Sequence, residues 1–105
     1  VSADWHQELV DRFNYAGFVE ACRLLEEEIA TAKDIDLAMR AGAGYPAGPL
    51  GWADAVGLDV VLARLEELRN QFGDTFAPPR ILKDLVKQGD LGEKTGKGFL
   101  EHATL

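Results

Sequence analysis

Ala41-Gly42-Ala43-Gly44-Tyr45-Pro46-Ala47-Gly48-Pro49 sets three glycines and two prolines in nine residues, between two segments that otherwise read as helix. Glycine reaches positive φ and lets other backbone approach closely, while proline holds φ near about −65° and has no N–H to donate. Flexible linkers pair glycine with serine. This loop pairs it with proline and an aromatic residue, so it is built to one shape, and its flanks decide the fold.

Upstream, residues 2–29 hold no proline and one glycine, Gly17, and apolar residues recur at helical spacing. Trp5, Leu9, Phe13 and Ala16 lie on one stripe, and Phe18, Cys22, Leu25 and Ile29 on another. Two stripes predict contact on two sides, hence a long central first helix whose aromatic residues serve the core. Gly17 would admit a close neighbour at some cost in helix propensity. Thr31 and Asp34 form a capping-box pattern with Asp in place of Glu or Gln. They open a short helix to about Ala41, with Ile35, Leu37, Ala38 and Met39 as its apolar side and Gly42 as a left-handed C-cap.

Downstream, Gly48-Pro49 reads as an N-cap and N1 pair that starts a third helix through Leu50, Trp52, Ala53 and Val56, ended by Gly57. A fourth helix covers 58–72, with Val60, Val61, Leu62, Leu65 and Leu68 inward and Arg64, Glu66, Glu67 and Arg69 outward, and Gly73 stops it. After a turn at 74–77, Pro78-Pro79 reopens a helix with Ile81, Leu82, Leu85 and Val86 inward, closed by Gly89. No stretch shows sustained alternation of β-branched residues, which predicts a single all-α domain of about five helices. Residues 90–99 carry Gly92, Gly96 and Gly98 and read as an ordered tail ending in an aromatic plug, Phe99.

The chain has 105 residues, 47% of them apolar, enough for one modest core without staples. A net charge of −7 argues against a nucleic-acid or anionic-membrane surface. With no apolar run near 18 residues and no charged-then-apolar leader, the expectation is a soluble cytoplasmic chain. Cys22, the single cysteine, can form no internal disulfide, and Glu20, Glu26, Glu27 and Glu28 around it disfavour a thiolate, so it reads as a small buried hydrophobe.

Familiar catalytic motifs fail one by one. Gly42-Ala43-Gly44 follows a helix rather than a strand, and the next glycine, Gly48, comes one residue too late for a dinucleotide fingerprint. Gly92-Glu93-Lys94-Thr95-Gly96-Lys97-Gly98 is one residue short of a phosphate loop and has Gly98 where a magnesium-binding hydroxyl belongs. His6 and His102 have no carboxylate or cysteine at ligand spacing, which predicts solvated or capping histidines and no metal site. Glu26-Glu27-Glu28 reads as a solvated face. Nothing in the residues supplies a self-contained catalytic apparatus.

Taken together, Glu20-Ala21, Leu24-Leu25-Glu26-Glu27, the run from Ile29 to Met39, the loop from Gly42 to Pro49, Ala53-Asp54, Gly57-Leu58-Asp59 and Lys94-Thr95-Gly96-Lys97-Gly98-Phe99 resemble the C-terminal domain of 3-hydroxyacyl-CoA dehydrogenases over nearly the whole chain. The resemblance implies a helical domain like the C-terminal domain of 6-phosphogluconate dehydrogenase, which closes over acyl-CoA and forms a dimer interface in fatty-acid β-oxidation. It also implies that NAD and the catalytic His–Glu pair belong to a separate Rossmann domain, so that this chain binds no cofactor and is inactive alone. The family's active-site asparagine, in a Val-Asn-Arg triplet, falls on Val10-Asp11-Arg12. Ionised Asp11 accepts hydrogen bonds but cannot donate one to a carbonyl, which leaves Asn14, one turn later, as a substitute. Tyr45, Pro46, Ala47 and Pro49 fall where the family's loop faces the acyl chain.

Asp11-Arg12, Trp52-Ala53-Asp54 and Leu65-Glu66-Glu67-Leu68 resemble most closely the second, non-catalytic copy found in tandem members of the family. The partners implied are a second copy of this chain or a Rossmann-type NAD-binding subunit, docked on the first helix and the face of 58–72. A stand-alone acyl-CoA-binding or assembly module with the same fold is the alternative.

Overall fold

Thr31 Oγ1 accepts the Asp34 N–H at 3.2 Å, and the Thr31 carbonyl accepts the Ile35 N–H at 3.0 Å. This start is the one the capping pattern predicts, and it opens the second helix of a computed structural model that describes residues 3–42 and 47–102. Helix α1 spans Ala3–Glu26, α2 Ala32–Gly42, α3 Pro49–Val56, α4 Leu58–Phe72 and α5 Arg80–Gln88, with short 3-10 turns at Asp74–Phe76 and Glu93–Thr95. The all-α expectation holds: among the described residues the only extended pairing is two isolated bridges in the tail, Gly92 with Lys97 and Lys97 with Glu101.

Glycine and proline punctuate these helices much as the sequence predicts. Gly48 is the N-cap and Pro49 the first residue of α3, whose first bond runs from the Trp52 N–H to the Gly48 carbonyl at 2.9 Å. Gly57, at φ 106°, turns α3 directly into α4. A side chain there would be strained and would meet Lys94 Nζ at 2.9 Å. Gly42 departs from expectation, since it is the last residue of α2 and not a left-handed residue beyond its end.

The core lies between the second half of α1, α3 and α4. Phe18, Cys22, Leu50, Ala53, Leu58, Val61, Leu65, Leu68 and Leu82 are fully buried, and each large member stabilises the fold by about 1.5–3 kcal/mol through its removal from water. Phe99 plugs the core as the sequence suggests: its ring meets Phe18 edge to face at 5.6 Å, and Phe18 lies 6.5 Å from Trp52. Burial of Cys22, with a smaller push from Glu26, raises its thiol far above the usual range, so it is inert as a nucleophile.

Several core assignments do not hold. Trp5, Leu9 and Phe13 are exposed, and only Ala16, at the end of their stripe, packs against the core. The stripe is periodic, but among the described residues no element of this chain covers the first turns of α1. Ile29 is exposed because α1 stops at Glu26 and the backbone reverses through Glu28, at φ 57°. Val60 is exposed while Val61 is buried. Adjacent residues on a helix point about 100° apart, and α4 is turned so that Val61, in line with Leu65 and Leu68, faces the core while Val60 faces out. Leu37 is likewise exposed on α2, whose buried side runs through Ile35 and Asp36. Gly17 has nothing within 4 Å of where a Cβ would stand, so it admits no neighbour and opens onto a groove.

Candidate functional site

The groove beside Gly17 has a volume of about 290 Å³ and three walls. From α1 come Phe13, Asn14, Gly17, Ala21 and Leu24, with Glu20 at the rim; α2 gives Ile35 and Met39; and the far wall is Ala47, Pro49 and Trp52. Helical spacing puts 13, 14, 17, 21 and 24 on one side of α1, and 35 and 39 on one side of α2, so two amphipathic helices meet along a shared apolar valley. Trp52 is held against that valley by Tyr15, ring to ring at 5.1 Å and nearly perpendicular. Burial chiefly, and then the Asp11 carboxylate, push the Tyr15 hydroxyl above its usual range, so it stays a neutral donor.

The expected site residues divide around this groove. Asn14, Ala47 and Pro49 line it, and Asn14 brings both a donor and an acceptor into a largely apolar setting. Asp11 is not among the lining residues; its Oδ1 accepts a hydrogen bond from Gln7 Nε2 at 3.0 Å. Tyr45 and Pro46 lie outside the described residues.

Two buried carboxylates, which the sequence pattern includes without giving them a role, hold the far wall in place. Asp36, on α2, accepts the Leu50 N–H on Oδ1 at 2.9 Å and the Gly51 N–H on Oδ2 at 2.6 Å. It therefore caps α3 from outside, placing negative charge at the helix N-terminus, where Gly48 has no side chain to do so. Asp54, 1% exposed, accepts the Phe99 N–H at 3.0 Å and the Leu100 N–H at 2.9 Å, and its Oδ2 lies 2.7 Å from His102 Nε2. His102 is thus neither solvated nor a helix cap: its carboxylate partner is 48 residues away in sequence, which ligand spacing cannot reveal.

The glycines around these aspartates record the fit. A Cβ on Gly48 would collide with the Asp36 carboxyl, one on Gly98 with the Asp54 carboxyl, and one on Gly92 with the Asp54 backbone. A signal for Asp36 was present in the sequence: a helix opened by Gly-Pro leaves free amides that some distant acceptor must satisfy.

Comparison with known proteins places this geometry in context. The family model for the C-terminal domain of 3-hydroxyacyl-CoA dehydrogenase matches residues 9–102. The chain is 40% identical over 84 residues to a 3-hydroxybutyryl-CoA dehydrogenase of Clostridioides difficile, covering 79% of this chain and 30% of that protein. It is likewise 40% identical over 97 residues to the mitochondrial hydroxyacyl-coenzyme A dehydrogenase of Mus musculus, covering 90% of this chain and 31% of that one. The crystal structure of (S)-3-hydroxybutyryl-CoA dehydrogenase from Ralstonia eutropha superposes with a TM-score of 0.84 at 36% identity, over 90% of this chain and 34% of that one. The chain spans 30% and 31% of the length of the two curated relatives.

Proposed function

This chain belongs to the 3-hydroxyacyl-CoA dehydrogenase family as its helical C-terminal domain, and on that premise we propose that it closes the acyl-CoA site of an NAD-dependent 3-hydroxyacyl-CoA dehydrogenase of fatty-acid β-oxidation type. The observation that carries the proposal is the apolar groove between α1, α2 and α3, with Asn14 as a polar side chain in its wall. Such a groove strips water from an aliphatic acyl group and binds it through area removed from solvent. Asn14 can donate to a carbonyl oxygen, whereas Asp11, held by Gln7 outside the groove, cannot. That placement of Asp11 favours the non-catalytic reading for its position.

The residues present do not suit NAD. The glycine-rich loop follows a helix, and the first amides of α3, the place where a pyrophosphate would be cradled, are taken by the Asp36 carboxylate. On this reading NAD belongs to a separate Rossmann domain, and the chain alone is expected to be inactive. Among the described residues no helix is long and apolar enough to cross a membrane, and a cytoplasmic location goes with this reading.

An interface completes the proposal. Trp5, Leu9 and Phe13 are exposed on α1, and Leu9 and Phe13 share a cleft with Phe72 at the end of α4, where the Arg12 guanidinium lies 3.9 Å from the Phe72 ring centroid. This face would take a second copy of the chain or the NAD-binding subunit. Light scattering at micromolar concentration is expected to give twice the 11.5 kDa monomer mass, and a clean monomer would remove the homodimer and leave the heterocomplex.

The acyl site is tested by titrating butyryl-CoA against the fluorescence of a Trp5→Phe chain, in which Trp52 is the remaining tryptophan. A saturable change is expected, together with no NADH formation from 3-hydroxybutyryl-CoA and NAD by the chain alone. A flat titration would sink the acyl-CoA reading.

A further inference from the structure

We propose that Asp36 is a positioning residue that sets the aperture of the groove, by tying the start of α3 to α2 and so fixing Pro49 and Trp52 opposite Met39. The inference rests on the acyl-CoA reading for what enters the groove, but not for the geometry itself. Asp36 contributes no lining atom to the groove; it lies behind it, bordering a separate cleft with Gly48 and Gly51. Its sequence neighbour Ile35, about 100° further round the helix, lines the groove. One buried side chain therefore ties together the two walls, α2 and α3, from the rear.

The tie has little slack. Both carboxylate oxygens are used, on consecutive amides of a helix only eight residues long whose N-cap offers no side chain. The absent Cβ of Gly48 leaves the space the carboxyl occupies, and a Cβ on Gly51 would stand 2.9 Å from Oδ2. If the tie is cut, two amides lose their acceptor and turn to water from the cleft behind, and the start of α3 loses its hydrogen bonds to α2. The wall carrying Pro49 and Trp52 is then free to shift.

The test uses Asp36→Ala and Asp36→Asn in the Trp5→Phe chain. Asparagine keeps the volume but can accept at only one of the two amides. Acrylamide quenching of Trp52 and butyryl-CoA affinity are read under conditions where denaturation curves show each variant folded. Asp36→Ala is expected to raise quenching of Trp52 and weaken butyryl-CoA about tenfold, the scale of one charge-assisted hydrogen bond, with Asp36→Asn in between. Since Asp36 does not touch the groove, a purely structural role would lower stability and leave both readouts of the folded variants unchanged, and that result overturns the proposal. If the unaltered Asp36 chain binds no butyryl-CoA, the acyl reading falls, and quenching alone then decides the aperture. Should Asp36→Ala fail to fold, Asp36→Asn carries both readouts.

Discussion

Replacing Asp54 with alanine is expected to lower the free energy of unfolding by about 3 kcal/mol or more. The carboxylate is fully buried and gathers two backbone N–H groups and the His102 ring, all from the tail. Alanine leaves those donors without an acceptor at a site too enclosed for easy hydration, and frees the segment that seats Phe99 on Phe18. The comparison is Asp59→Asn. Lys94 Nζ lies 2.6 Å from Asp59 and its hydrogen bond holds that carboxyl below the usual range. A depressed carboxylate pKa stabilises the fold above the unfolded value, and the effect is lost as pH falls through the folded one. Both side chains are nearly half exposed, so solvent screens the pair and the midpoint should hardly move. Urea unfolding at neutral pH reads both variants. A loss below about 1 kcal/mol for Asp54→Ala would mean that the tail is not held as described.

The second large effect is expected at Phe18. Phe18→Ala should cost about 3–5 kcal/mol, because its side chain is completely buried between Trp52 and Phe99 and the surrounding helices can close the hole only in part. A domain of this size has only about 5–15 kcal/mol in total, so the variant should lose about a fifth of its stability or more. Phe13, on the same helix and 68% exposed, makes the contrast. Phe13→Ala should stay within about 0.5 kcal/mol of the parent in stability yet weaken butyryl-CoA binding, since that ring forms the mouth of the groove. The two variants together separate the fold from the site. Equal stability losses at the two positions would show that Phe13 is packed as core and that the groove is closed.

Helix boundaries were legible in the sequence because local chemistry sets them. Thr31, Gly48-Pro49, Gly57, Gly73 and Gly89 each act within a few residues of the break they cause. The shape of the site was only half legible. Asn14, Ala47 and Pro49 were found through the family resemblance, whereas Asp36 and Asp54 escaped because their partners lie 14 to 48 residues away and no periodicity links them. The stripe of Trp5, Leu9 and Phe13 misled for a different reason. Periodicity shows that a helix has an apolar face, but not whether this chain or another molecule covers it. Val60 and Val61 show the same limit at finer grain, because composition alone does not fix the helix rotation that exposes one and buries the other.

On the proposed function, this domain completes an acyl-CoA site whose NAD-binding half lies elsewhere. The most direct test measures NADH formation from 3-hydroxybutyryl-CoA by the Rossmann domain of a family member stripped of its own helical domain, with and without this chain. Turnover that appears only when the chain is present, and saturates as it is added, is the expected result. The same rate in its absence would contradict the claim.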